Sequence, residues 1–271
     1  MGDYFISSER LWNRAGSADA PAVLDVRRRA VFDADDAAIP GSLWCDPAAA
    51  VALARAWPAT RPVVVSCAHG HQLSQGVAAS LRADGRPAAV HDGGFAAWRE
   101  AGLPVLRPSG LPQCAPGAAS LWITRRRPKV DRVACPWLIR RFVDPRAAFL
   151  FVEPDQVLAL ADETGGIAFD IDGAPYSHDG ARCSFDVLLA CSGIADPALA
   201  DLATIVRGAD TARLDLAPQS AGLLAMALGL SALAGDDDRR ALEAGMTLYD
   251  ALYAWRRHAP GERHSWPAAA A

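Results

Sequence analysis

Lysine is nearly absent from this chain. Lys129 is the only one and every other formally cationic side chain is arginine, a bias that follows base composition and carries no functional meaning by itself. Paired cysteines are absent as well. Cys45, Cys67, Cys114, Cys135, Cys183 and Cys191 are scattered without paired spacing, which argues against a disulfide framework and for reduced thiols. No apolar run reaches the roughly 20 residues that span a bilayer. The longest, 220–235, includes polar and small residues and reads as a buried helix. The N-terminal MGDYFISSER lacks the basic-then-apolar profile of a signal peptide, so a cytoplasmic location with no membrane partner is expected. Positive charge is not in excess either: the net charge is −4 and the pI about 5.8. That excludes a general polyanion binder. The one basic concentration begins at Arg125–Lys129, and with no helix-turn-helix pattern beside it nucleic acid is not an expected partner.

What is present is a chain of 271 residues, half of them apolar, enough for one large domain or two ordinary ones. Its two halves differ in pattern. Through residues 22–110, short apolar runs alternate with helical segments. AVLDV (22–26), PVVVSC (62–67) and PAAVH (87–91) read as strands buried on both faces. Between them, 46–57 and 73–85 read as helices, the second stopped by Gly85. This rhythm predicts an α/β fold: a parallel sheet with helices on both faces. Pro104, Pro108, Pro112 and Pro116 then mark a semi-extended linker. We place the domains at 4–108 and 120–260, with a linker over 109–119 and a tail over 261–271.

The second half predicts strands at 121–124, 147–152 and 167–171, and helices at 131–143 and around 155–162. From Ser184, a candidate N-cap, almost everything reads as helical: 184–193, 196–210, 217–234 and 237–257. The second domain is therefore expected to be mostly α-helical, of α+β type.

One stretch joins strand to helix with chemistry in between: VSCAHGHQLSQG (65–76). A cysteine after a strand and before a helix N-terminus meets loop N–H groups and the positive end of the helix dipole, which favour its thiolate. Gly70 lets the loop turn tightly, and His69 and His71 add partial positive charge. Together with VLDVR (23–27), IPGSLWCD (39–46) and HDGGFAAWREAGLPV (91–105), this loop resembles the rhodanese family of sulfurtransferases. The resemblance implies that Cys67 takes a sulfane sulfur from a donor and passes it to a thiol acceptor, with no cofactor. The implied anion-binding loop is Ala68, His69, Gly70, His71 and Gln72, with Asp25 and Arg27 beside it. Two positions depart from the family: Gln72 stands where an arginine is common, and Ala38 where a histidine usually precedes Ile-Pro-Gly. Without that arginine a sulfonate-like donor loses a bidentate contact, so a low-molecular-weight persulfide is expected to serve better than thiosulfate. A rhodanese-like scaffold without activity is the competing reading.

In the second half, DRVACPWLIRRF (131–142), FDIDGAPYSHDGARCSFDVLLACSG (169–193) and GMTLYDALYAW (245–255) resemble the C-terminal domain of ChrB-type chromate resistance proteins. That implies a role in chromate resistance. Asp170, Asp172, His178, Asp179, Cys183 and Asp186 crowd into one short segment. A histidine with carboxylates arriving from separate elements suits Mn, Fe or Zn, and His178, Asp186 and Asp210 are the expected ligands. Capping of a helix by Asp186 is the alternative. Cys183 is a further ligand, a redox thiol or a buried structural cysteine. Asp131, Arg132, Arg140 and Arg141 flank the apolar stripe of one helix. The arginines are read as a solvated basic face; the alternatives are that one of Arg140 and Arg141 turns toward Asp170 or Asp210, or that the group forms a pocket for chromate or sulfate.

The expected function is sulfur transfer through a Cys67 persulfide, coupled to a chromate or oxyanion resistance domain. The rivals are a chromate-responsive sensor or accessory protein, and a metal-dependent enzyme with its site in the second half. A homodimer is one option for its assembly.

Overall fold

The structure is a computed structural model and describes residues 4–112 and 118–262. Cys114, Pro116 and the tail from 263 lie outside the described residues.

The first half builds one five-stranded parallel sheet in the order β1-β5-β4-β2-β3. Its strands are β1 (Phe5–Ile6), β2 (Ala22–Asp25), β3 (Ser42–Trp44), β4 (Val63–Ser66) and β5 (Ala88–His91). Strand periodicity sorts its side chains. Val23 and Val64 are register partners facing one layer, and Leu24 and Val65 face the other. Helices α3 (Ala50–Ala54) and α4 (Gln72–Ala83) cover the Leu24 side with Ala50, Ala54, Ala78 and Leu81. On the Val23 side lie Leu11 and Trp12 of α1 (Ser8–Trp12) and Phe95 and Trp98 of α5 (Gly94–Glu100). A short α2 (Arg29–Asp33) lies between β2 and β3. Both faces are thus dry, as an all-parallel sheet requires. Sequence pattern locates the three central strands; β1 and β3, of two and three residues, are too short to show a period.

The second half holds a three-stranded parallel sheet, β7-β6-β8, of β6 (Leu121–Arg125), β7 (Ala148–Val152) and β8 (Ile167–Ala168). Helices follow: α6 (Val130–Leu138), α7 (Val157–Thr164), α8 (Ser184–Ser192), α9 (Pro197–Asp210), α10 (Ser220–Ala234) and α11 (Asp238–His258). The expected strand over 167–171 stops at Ala168, because Asp170 takes a positive φ of 51° and leaves extended geometry. Ser184 is not the cap of α8. Cys183 occupies that position, in a reciprocal arrangement with Asp186. Pro136 lies inside α6 and removes one helical N–H. Five residues in π-helical geometry, Ile139–Val143, then finish the helix, with the Asp144 N–H bonded to the Ile139 carbonyl at 2.8 Å.

One apolar core runs across the boundary between the halves. Trp12 meets Trp98 at 5.9 Å and Phe142 at 6.1 Å between ring centroids, pairs that each add about 0.5–1.5 kcal/mol beyond the area they bury. The Gly41 N–H reaches the Phe142 carbonyl at 2.6 Å, Arg257 Nη1 reaches the Trp12 carbonyl at 2.8 Å, and the Arg107 N–H reaches the Ser192 carbonyl at 2.8 Å. Among the described residues no helix is long and apolar enough to cross a membrane.

Candidate functional site

Cys67 directly follows β4, four residues before the His71 N-cap of α4. The residue is 6 % exposed. Its sulfur lies 3.2 Å from the Ser74 hydroxyl in the first turn of α4. Burial pushes the thiol's pKa up. Hydrogen bonds from the Ser74 hydroxyl and from the main chain of His69, Ser74 and His71 outweigh it, so the net displacement is downward. The contrast with the other thiols is informative. Burial raises Cys45 to about 11 and pushes Cys135 and Cys183 up further. Of these four described thiols, Cys67 is the one at which converging donors reverse the cost of burial.

The loop is held from behind. The Phe95 N–H bonds the Cys67 carbonyl at 2.8 Å and the Ala96 N–H bonds that of Ala68 at 2.9 Å. Gly94 makes this approach possible: at φ +62° its Cβ would stand 2.4 Å from the Cys67 carbonyl oxygen. His91, wholly buried, spans Ser8 Oγ at 2.8 Å and Ser66 Oγ at 2.9 Å, and burial lowers its pKa to about 4. His69, His71 and Gln72 are exposed at the mouth.

Asp25 and Arg27 are placed differently from expectation. Both are buried and bonded to each other, with Arg27 Nη2 2.6 Å from Asp25 Oδ2. The guanidinium also takes Asp35 Oδ2 at 3.1 Å and the Ala37 carbonyl at 2.9 Å. It lies 4.1 Å from the centroid of Phe95, whose N–H holds the Cys67 carbonyl. With its donors spent inside the protein, Arg27 supports the loop from behind and does not serve as an anion ligand. Ala38, where the family has histidine, is buried and bridges Leu106 through its main chain.

A second cluster lies in the other half. His178 Nε2 is 3.1 Å from Asp210 Oδ2, 3.6 Å from Asp131 Oδ2 and 3.6 Å from Asp170 Oδ1. Asp131 comes from the first turn of α6, Asp170 from the bend after β8, and Asp210 from the last residue of α9. Asp131 Oδ2 accepts the Ser184 N–H at 2.6 Å and the Phe185 N–H at 3.4 Å, capping α8 from outside. Asp170 Oδ1 accepts the Ser184 hydroxyl at 2.7 Å, while its Oδ2 faces Arg125 and Arg132, each at 3.3 Å. Burial first, and the neighbouring carboxylates second, hold Asp131 well above the usual carboxylate range; Asp210 is raised by burial and by Asp170.

Asp186 does not join this cluster. Its Oδ1 takes Arg207 at 2.7 Å and its Oδ2 the Cys183 N–H at 3.0 Å, so it acts as the helix-capping carboxylate. Asp179 pairs with Arg182, away from the cluster. Arg140 and Arg141 turn to neither Asp170 nor Asp210. Arg140 meets Glu243 at 2.8 Å, and Arg141 grips both oxygens of Asp250 at 2.8 Å, tying the end of α6 to α11. Of Arg132, Arg140 and Arg141, Arg132 is the one that reaches the cluster, through Asp170. Arg125, on β6, was legible in the sequence only as the start of a basic run and not as a partner of Asp170, and Ser74 beside the thiol is an addition the linear pattern did not single out. Cys183 is fully buried, with its sulfur in the helix cap.

Comparison with known proteins follows the same division. Residues 7–101 match the family described as rhodanese-like domain, and residues 122–256 match that described as ChrB, C-terminal domain. Protein ChrB of Cupriavidus metallidurans is 42% identical over 133 residues, covering 49% of this chain and 39% of that protein. The chain thus spans about two fifths of that relative's length. Among solved structures, a rhodanese-related protein from Thermoplasma volcanium is 25% identical, covering 38% of this chain and 98% of that one with a TM-score of 0.33. A thiosulfate sulfurtransferase from Pseudomonas aeruginosa is 29% identical, covering 37% of this chain and 19% of that one with a TM-score of 0.31.

Proposed function

We propose that this chain, which joins a rhodanese-like domain to a ChrB C-terminal domain, is a sulfurtransferase that carries sulfane sulfur as a persulfide on Cys67. The reading rests on one observation: Cys67 is a buried thiol set between β4 and the start of α4, its sulfur 3.2 Å from the Ser74 hydroxyl. In the first step the Cys67 thiolate attacks the outer sulfur of a donor R–S–SH. A new S–S bond forms at Cys67, the donor's S–S bond breaks, and RS⁻ leaves with the electron pair. In the second step an acceptor thiolate attacks the outer sulfur of the Cys67 persulfide, which returns Cys67 as thiolate. The sequence is redox-neutral and needs no cofactor. The loop donors that favour thiolate also favour the terminal anion of the persulfide.

Gln72 offers an exposed carboxamide where a guanidinium would grip a sulfonate, so the donor is a low-molecular-weight persulfide in preference to thiosulfate. The fused domain places this sulfur carrier beside a module that resembles those of chromate resistance. Supply of sulfur equivalents under oxyanion stress is the role that fits the pairing. The test is mass spectrometry of the full chain after exposure to glutathione persulfide. A gain of one sulfur, about 32 Da, is expected in the wild type, absent from Cys67→Ser and removed by added thiol. No adduct, or the same adduct in Cys67→Ser, overturns the proposal and leaves the sensor reading in its place.

A further inference from the structure

Three carboxylates around a single imidazole nitrogen are an unusual thing to fold around. We infer that Asp131, Asp170 and His178, with Asp210 beside the imidazole, form a binding site for one divalent transition-metal ion of the Mn, Fe or Zn type, separate from the thiol site.

The first support is geometric. Ligand atoms 2.0–2.2 Å from an ion at tetrahedral or octahedral angles lie about 2.8–3.6 Å from one another. The three carboxylate oxygens stand 3.1, 3.6 and 3.6 Å from His178 Nε2. One ligand atom from each of Asp131, Asp170 and His178 can be chosen so that all lie within 4.8 Å of one another. Asp131, Asp170 and His178, from three separated segments, therefore present one small shell, with Asp210 Oδ2 3.1 Å from the imidazole at its edge.

The second support is independent of that arrangement. Asp131 is 1 % exposed, and its Oδ1 is buried with no hydrogen-bond partner. A carboxylate oxygen buried without a donor is costly when ionised, and a proton or a cation shared by the carboxylate relieves the cost. Asp210 reinforces the demand, because it closes α9 at the negative end of the helix dipole.

The surroundings fit a bound ion. Asp170 Oδ1 is held by Ser184 Oγ, and Arg125 and Arg132 engage its other oxygen at 3.3 Å, which orients the ligand in the manner of an outer hydrogen-bonding shell. A cavity of about 180 Å³ bounded by Arg125, Pro154, Asp170, Ser177 and His178 opens onto the cluster. It gives the ion access to solvent and room for a water or a small anion. Oxygen-rich donors with one imidazole select Mn, Fe or Zn over soft Cu(I). The Cys183 sulfur closes the helix cap and lies beside the Asp131 carboxylate, at the edge of the set.

The competing organisation is a metal-free ion-pair network in which Arg125, Arg132 and a protonated His178 neutralise the three carboxylates. Titration of the chelator-stripped full chain with Mn²⁺, read by the loss of the free-ion electron paramagnetic resonance signal, separates the two. One Mn²⁺ per chain is expected, with affinity reduced at least about tenfold in His178→Ala and in Asp210→Asn. The same addition should raise the thermal midpoint of the wild type more than that of either variant. Cys67→Ser should bind as the wild type does, which keeps this outcome independent of sulfur transfer. His178 is 42 % exposed, so its removal leaves the fold intact, and circular dichroism checks this. Absence of saturable binding by Mn²⁺, Fe²⁺ or Zn²⁺, or equal affinity in both variants, overturns the inference.

Discussion

Replacing Ser74 with alanine tests the electrostatic basis of the thiol site. The Ser74 hydroxyl stands 3.2 Å from the Cys67 sulfur and 3.1 Å from the His71 carbonyl, but it has one proton. With a neutral thiol, S–H donates to the serine oxygen and the hydroxyl proton goes to His71. Once the thiol ionises, the hydroxyl turns to sulfur and the His71 bond is given up. The net preference for thiolate is therefore at the low end of charge-assisted bonds, about 1.4 kcal/mol, a tenfold change in the ionisation equilibrium. Below its midpoint the variant holds about tenfold less thiolate. A more basic thiolate is about threefold more nucleophilic per unit of displacement, so at any pH below both midpoints alkylation by iodoacetamide should slow only about threefold. At a pH where both proteins are fully ionised, the variant should be about threefold faster. The two pH–rate curves must cross. Curves that superimpose, or that differ by one constant factor at every pH, refute the reasoning.

Four other outcomes follow from the same geometry. His91 is buried neutral with its pKa lowered from 6.5 to about 4. The unfolded chain takes up that proton first, so this stability is complete above pH 6.5 and is lost as pH falls toward 4, by about 3 kcal/mol. The raised Asp131 and Asp210 act in the opposite direction, so the difference between wild type and His91→Gln in urea titrations across that window isolates the histidine. Arg27→Met leaves Asp25 buried without its partner and should cost about 3–5 kcal/mol in urea unfolding; Arg27→Lys should not restore the loss. Gly94→Ala forces a Cβ to 2.4 Å from the Cys67 carbonyl at positive φ. A loss above about 2 kcal/mol and slower Cys67 alkylation are expected, whereas Gly222→Ala, in a helix with open space around it, should gain about 0.5–1 kcal/mol. Gln72→Arg should raise turnover of thiosulfate about tenfold through a charge-assisted contact to its sulfonate end, with glutathione persulfide little affected; equal gains for both donors contradict the role given to this position.

Much of this architecture was legible because it is local. AVLDV, PVVVSC and PAAVH are runs whose residues are apolar on both sides, and such runs have few places to go except the centre of a covered sheet. VSCAHGHQLSQG shows its device in order: strand, thiol, loop, helix start. The acidic residues around His178 were visible too, but not their division of labour. Asp186 and Asp210 look alike along the chain. Arg207, one helix away in space, claims the first, and the second is left at the end of α9 facing His178. Arg140 and Arg141 likewise found their partners on α11, more than a hundred residues later.

Periodicity, turn residues and a contiguous loop therefore determined that this chain makes a dry parallel sheet, a helix-rich partner domain and a cysteine set between a strand and a helix start. Each of those depends on neighbours along the backbone, within reach of a strand or a helical turn. Packing alone decided that Asp131 and Asp170 meet His178, that Arg27 turns inward, and that both halves share one core. A buried charge is settled by whichever opposite charge the fold brings within about 4 Å, and that distance is set in space, where sequence separation has no say.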